Sequence, residues 1–551
     1  MKHTIKHAKY TLLFLLLGIF GLTACKKQLD VQNPNDPTLA DALTESGIIS
    51  LAKGAVYDNG FNLVFNAGLN QLGSGFTYTV YGYQELLGDV ISASASNQNI
   101  NVINLPEYVI LDNGTKISSG LLQRNTIRVT NSRSSRSSNS IYYEWAFMYS
   151  LNNACNNILD VLPNVTFSGG NATSKRKTIE AWARWWKGYA YSRIGSIYFA
   201  GIINNTTNVT NSHYVTHDAI IAEANSNLDM AAKALTDITN AGDYTTIISQ
   251  VIPEFIETGH GDVPTVAMWL HSINTMKARN LLVNKKASAM SAADWNTILT
   301  LTANGVNSTD NVFTVRTTSN NGILSTTGNV VALSTGASST FRISERLIQE
   351  YKTGDKRLAN NFKLRSSPLF DQTGGITFST RWQLLDAGAA GFPNLPGVIV
   401  LSNKTPGEQE IFVSPSYEEN ALMRAEALIY TGQIDAGLAL VDAVRAYQGA
   451  GIPAVSGTGL NQAQAIVELR RERRVALVFR GVSYYDYRRW GIIYAVSQGG
   501  GRTGAVVLTT AGALNTNATI NYNFLDYWDV PADETELSPP DANSAPVVNP
   551  G

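Results

Sequence analysis

Few residues in this chain have the types and spacing that chemistry needs. His213 and His217 stand four apart, with Asp218 beside the second. Such a pair can ligate zinc when both rings share one helix face. Thr216, however, reads as the N-cap of the helix that follows, which leaves His213 in the preceding loop and breaks the pair. Gly499-Gly-Gly-Arg-Thr-Gly504 fits the GxGxxG pattern of dinucleotide binding, a device that needs a strand before the glycines and a helix N-terminus after them. Here a helical pattern precedes and Val506 and Val507 follow, so the match reads as chance in a glycine-rich loop. Ser174-x-x-Lys177 opens the pattern of β-lactam-recognising serine enzymes, but the companion elements are absent, and there is no Gly-x-Ser-x-Gly elbow. The expectation is a protein without catalytic residues, cofactor or metal. Paired carboxylates of a glycoside hydrolase meet in space rather than in sequence, so a secreted glycosidase is the rival reading.

The densest charge lies in Asn461 to Arg480, where Arg470, Arg471, Arg473 and Arg474 share a helical stretch with Glu468 and Glu472. A phosphate or RNA patch is one reading. The chain as a whole carries 42 Lys+Arg against 43 Asp+Glu, and a nucleic-acid binder would be strongly basic. The favoured reading is structural: guanidinium forks holding carboxylates and loop carbonyls of neighbouring elements. Asn461 with Gln464 forms a reciprocal N-cap for that helix. Ser483-x-x-Asp486 forms a second capping box for a short helix that stops at Gly491.

Aromatic side chains are the other resource, with 24 Tyr, 18 Phe and 9 Trp. Trp145, Trp182 and Trp186 fall on helical patterns and are assigned to the core. Tyr78, Tyr81, Tyr108, Trp382 and Phe392 fall in irregular stretches, where a flat ring can stack on the C–H face of a sugar while Asn and Arg bond its hydroxyls. Trp382, flanked by Arg381 and Gln383, is the first choice. On this reading Trp382→Ala weakens ligand binding by about 1 kcal/mol and leaves the melting temperature unchanged. The composition agrees: charged residues make up 15%, below the roughly 25% usual for soluble proteins, and Asn, Ser, Thr and Tyr supply a neutral hydrogen-bonding surface.

The elements that must position these residues are mostly helices. Tyr142, Trp145, Tyr149, Asn152, Ile158 and Leu162 recur at helical spacing, as do Trp182, Trp186, Tyr189 and Ile197. Further helices are expected over 216–235, 264–283, 292–303, 418–430 and 434–447, with Gly432 reversing the chain between the last two. Ala425, Ala427, Ala436 and Ala443 are the small residues that let that hairpin close. Stacked hairpins of this kind follow tetratricopeptide logic. The fold class is therefore mainly all-α, of degenerate tetratricopeptide-like hairpins with little β-structure. Residues 59–140, 306–340 and 365–415 are read as long loops, and 204–211 (NNTTNVTN) as a solvated one.

At the N-terminus, Lys2, Lys6 and Lys9 precede an apolar run from Leu12 to Phe20, shorter than the ~20 residues of a membrane span. Leu22-Thr-Ala-Cys25 resembles a bacterial lipobox, whose cysteine accepts diacylglycerol. Residues 1–24 are then a lipoprotein signal peptide, 25–40 a lipid-anchored tether, and 41–551 one domain with parts 41–340 and 341–551. Cys155, the other cysteine, sits in a helical pattern and is expected to be a buried thiol.

Several segments together resemble the SusD/RagB family of outer-membrane nutrient-binding lipoproteins. They are the lipobox with Asn33-Pro-Asn-Asp-Pro37; Tyr351-Lys-Thr-Gly-Asp-Lys-Arg357; Met423 to Leu428 with Ala443-Val-Arg445; Glu468 to Arg474 through Phe479-Arg-Gly481 and Asp486 to Trp490; and Trp528 to Glu534 with the terminal Asn-Pro-Gly. The resemblance implies one α-helical unit whose tetratricopeptide-like helices face a SusC-type TonB-dependent transporter and whose loops take an oligosaccharide, in some members a peptide, without catalysis. It also implies an outer-membrane, cell-surface location through Cys25. Two features depart from the pattern: Arg480 stands where an acidic residue is usual, and Lys26 and Lys27 follow the cysteine. A protein-binding tetratricopeptide scaffold is the third reading.

Overall fold

The computed structural model describes residues 43–60, 80–93, 99–207, 209–252, 263–316, 341–370, 377–385 and 410–551. Cys25, the signal and tether segments, Tyr78 and Phe392 lie outside them. Sixteen α-helices run through the described residues, against twelve strands of which most have three residues, so the architecture is mainly helical. The periodicity-based helices are present as Tyr142–Val161, Ala172–Ile197, His217–Thr236, Val266–Val283, Ala292–Ala303, Tyr417–Tyr430 and Ile434–Tyr447. A helix at Ala241–Val251, capped by Asn240, went unread.

The caps explain where helices begin. The Thr216 side chain accepts from Ala219 N, and Asn461 and Gln464 cap one another's backbone N–H groups. After Tyr430, Gly432 takes φ 86°. Gln433 N then donates to Leu428 O and Gly432 N to Ile429 O, the bond pair that ends a helix on a left-handed glycine. The capping box expected at Ser483 does not form. The Ser483 hydroxyl instead donates to Gln84 O at 2.9 Å, and Asp486 accepts from Arg473 and Arg489. A tertiary partner outbids a local one.

Helices Ala172–Ile197 and His217–Thr236 approach closely because two glycines leave gaps. A Cβ on Gly188 would lie 2.7 Å from Leu228 Cγ, and one on Gly195 2.8 Å from Ile221 Cγ1. In the C-terminal hairpin the close-approach residue is Gly437, whose Cβ would lie 2.7 Å from Ala425 O. Ala425 and Ala427 are buried as expected, but Ala436 is exposed. The main core gathers around Trp182, Trp185, Trp186, Trp269 and Phe313, rings that meet mostly edge to face, the arrangement their quadrupoles favour. Trp145 and Cys155 are buried with them, and burial pushes the Cys155 thiol up to about 12.

The β-structure joins distant segments. A four-stranded antiparallel sheet runs in the order Arg502–Leu508, Leu514–Asn521, Tyr108–Ile110, Lys116–Ser118. Phe362–Leu369 pairs with Thr380–Leu384, and Thr314–Arg316 with Glu410–Phe412. The stretches read as loops thus hold short strands and helices where they are described. The 204–211 loop is pinned at its base: Asn204 O accepts from Asn152, Asn156 and Tyr191.

Candidate ligand-binding surface

Trp382 occupies the middle of the Thr380–Leu384 strand, opposite Leu364. Strand alternation puts it on the same face as Thr380 and Leu384, both buried. Its ring is accordingly half-buried against the main core, with Nε1 enclosed and no acceptor for it among the described residues. The polar flanks misled: they occupy the opposite face. Arg381 is held by Glu345, its backbone N–H donating at 2.7 Å to Oε1 and its guanidinium at 2.7 Å to Oε2. Gln383 Oε1 accepts from Arg365 at 2.8 Å. A ring packed on the core contributes to stability, so Trp382→Ala is expected to lower the melting temperature as well.

Tyr81 is enclosed rather than presented at the surface. It is buried at the start of the Gly82–Leu87 helix, its hydroxyl donates to Phe412 O at 2.6 Å, and its ring lies against Gly481. A helix of six residues is too short to show a period, which is why the segment read as a loop. Tyr108 is half-buried on a strand, with Lys116 Nζ 3.8 Å above its ring centroid; one face is already covered by a cation. Tyr108 and Trp382 stand in different sheets. Among the described residues, Tyr81, Tyr108 and Trp382 are therefore not gathered into one platform.

Two apolar side chains near this region escaped the sequence reading. Leu364, across from Trp382, is 60% exposed, and Phe370 is 41% exposed. Phe370 rests beside Gly512, where a Cβ would lie 3.6 Å from its Cζ, so the end of one hairpin touches the turn of another. That second hairpin is fixed in turn by Asp112, whose carboxylate accepts from Thr516 N and Asn517 N, each at 2.9 Å. Only the Thr-Ala-Gly-Ala turn hints at this in sequence; the docking of one tip on another does not.

The arginine-rich helix Gln462–Ala476 is structural, as its charge pattern implied. Glu472 is shared by Arg357 at 2.5 Å and Arg445 at 2.8 Å. Arg473 meets Asp486 at 2.9 Å, and Asp486 also holds Arg489, which forks onto Glu426. Arg474 donates to the carbonyls of Gly88 and Asp89. The Tyr351-to-Arg357 motif has the same use: Asp355 caps the Lys356–Asn361 helix and grips Arg357, which reaches Glu472. Arg480 pairs with Glu418 at 3.3 Å and lies 3.5 Å above the Phe412 ring. Among the described residues no three His, Cys, Asp or Glu side chains cluster as metal ligands. His213 pairs with Asp541, while His217 stacks on Tyr527.

Residues 417–544 match the SusD family model. The segment runs from the Tyr417–Tyr430 helix through the arginine helix and the last two strands to just beyond the Ala532–Leu537 helix. No curated protein matches the sequence. Solved structures match over nearly the whole chain. A putative sugar binding protein from Bacteroides vulgatus is 16% identical with a TM-score of 0.57, covering 93% of this chain and 99% of its own. A SusD superfamily protein from Bacteroides fragilis is 13% identical with a TM-score of 0.55, covering 91% and 99%. A SusD-like carbohydrate binding protein, also from Bacteroides fragilis, is 14% identical with a TM-score of 0.51, covering 85% and 99%. The resemblance to the SusD/RagB family is thus present in sequence over the C-terminal segment and in fold over most of the chain.

Proposed function

We propose that this chain is a cell-envelope binding protein that captures a neutral oligosaccharide and delivers it to a SusC-type TonB-dependent transporter. The observation that carries the reading is the near-full-length fold similarity to SusD-superfamily proteins, two of them described as sugar or carbohydrate binding proteins, joined to the SusD-family segment at 417–544. In this reading residues 1–24 are removed, Cys25 is acylated, 25–40 form the tether, and 41–551 fold as one unit on the outer membrane. The helix pairs act as tetratricopeptide-like hairpins that face the transporter. Ligand contact falls to the exposed part of Trp382 or of Tyr108, which stand in different sheets, with Arg381, on the other face of the Trp382 strand, and Tyr78 as further candidates. Tyr81, being buried, has a ring too enclosed to stack on a ligand.

The binding protein does no chemistry on its ligand. Affinity electrophoresis and calorimetry across a panel of neutral glycans are expected to give retardation and heat for at least one, while a reducing-sugar assay stays flat. Product release with turnover would replace the reading with the glycoside hydrolase. Retention by an envelope protein with no glycan binding would replace it with the protein-binding scaffold.

A further inference from the structure

The Gly82–Leu87 helix and the Phe479–Gly481 turn lie nearly four hundred residues apart and meet on a buried carboxyl. Glu85 Oε1 accepts the Gly481 N–H at 2.9 Å, and Oε2 faces that of Phe479 at 3.4 Å. Both donors take left-handed backbone, Phe479 at φ 57° and Gly481 at φ 67°. For phenylalanine that conformation is costly and persists only where the surroundings hold it. The fit is tight: a Cβ on Gly481 would lie 2.7 Å from the Tyr81 ring, and one on Gly88 2.3 Å from Ser483 Oγ.

The charged groups around this junction have other partners. Arg474 donates to the Gly88 and Asp89 carbonyls. Arg193 pairs with Glu144 at 2.5 Å and faces the Tyr81 ring. Arg480 pairs with Glu418, Arg346 with Asp89, and Arg279 with Glu419. Tyr189 and Tyr81 lie together beneath them. Glu85 forms no ion pair among the described residues. Burial pushes its carboxyl up to about 7, against the pull of the Gly481 and Phe479 N–H groups, of the Ser483 hydroxyl and of Arg474.

We propose that this junction is a proton-controlled latch, closed when Glu85 is neutral and loosened when Glu85 ionises, and that it acts on the Glu410–Phe412 strand. Ionisation leaves a buried charge with no ion-pair partner among the described residues, and local opening returns it to water, so raising the pH favours the open form. The strand is reached by two contacts already at the junction: Tyr81 donates to Phe412 O at 2.6 Å, and Arg480 covers the Phe412 ring. Phe412 in turn pairs with Thr314.

Amide hydrogen exchange on the full chain tests this, with rates corrected for intrinsic chemistry. Exchange at Phe479, Gly481 and Phe412 is expected to quicken on the order of a hundredfold between pH 5 and pH 8, while the Trp182 amide keeps its protection. In Glu85→Gln the three amides lose that pH dependence. Equal acceleration at Trp182, or a pH dependence that survives in Glu85→Gln, overturns the latch. A Phe412 amide indifferent to pH while the turn responds overturns the link to the strand. Should Glu85→Gln not fold, carbon-13 titration of the Glu85 carboxyl in the unaltered protein decides: a midpoint below pH 5 overturns the proposal.

Discussion

Two regions of this molecule keep their helices together by opposite means. Between Ala172–Ile197 and His217–Thr236 the contact is shape: Gly188 and Gly195 are gaps into which Leu228 and Ile221 fit, over a floor of tryptophans. Around Gln462–Ala476 the contact is charge: Arg357, Arg445, Arg473 and Arg489 are buried with Glu472, Asp486 and Glu426. An apolar interface tolerates small adjustments of volume. A buried ionic lattice tolerates little, because each charge removed strands another that cannot reach water. The second region is also the one a family model detects from sequence, and its bonding gives a physical reason for a recognisable signature: arginine forks require particular partners at particular places.

The largest effect that would sharpen this contrast comes from Glu472→Ala. It leaves Arg357 and Arg445 buried without their shared carboxylate, at a cost of about 3–5 kcal/mol in unfolding free energy by urea titration. A loss under about 1 kcal/mol would mean the lattice is less rigid than its geometry suggests. Next, Gly188→Val overfills the first region by forcing Leu228 aside, for a loss of about 2–3 kcal/mol. If it proved neutral, the two helices would have room that the distances deny.

Acid probes the lattice differently. Burial alone would raise the Asp89 carboxyl, but Arg346, with help from Arg502 and Tyr522, holds it at about 2 against an ordinary 3.8. Its stabilisation is fully present above pH 4 and is lost as the pH falls towards 2. The difference in unfolding free energy between the unaltered protein and Asp89→Asn should shrink by about 2 kcal/mol across that window. A difference that stays constant would separate Asp89 from the acid response. The smallest expected effect is Asn461→Ala, which removes the cap on the arginine helix for about 1 kcal/mol. That is a purely local term against which the lattice can be judged.

Helices that repeat an apolar period over three turns or more, and that start on Thr216 or Asn461, were legible in the sequence. So was the structural use of the arginines. Tyr81 was not, because a six-residue helix carries no period. Trp382 was placed in a loop rather than a strand because Arg381 and Gln383 beside it look like a polar loop, when in a strand they mark the other face. Gly188 and Gly195 drew no reading, since only the neighbouring helix explains them. The pairing of Tyr108–Ile110 with Thr519–Asn521 depends on contacts that no local pattern encodes.

That last pairing carries a consequence for how the molecule is made. The strand Leu514–Asn521 lies between Arg502–Leu508 and Tyr108–Ile110, so the early hairpin stays unpaired on one edge until residue 521 has been synthesised. Closing a loop of that size is slow. This pairing is therefore among the late stitches of maturation, with those of Trp528 to Ile197 and Ala545 to Tyr214, and until it is made the nascent protein presents an open β-edge to any companion that binds such edges.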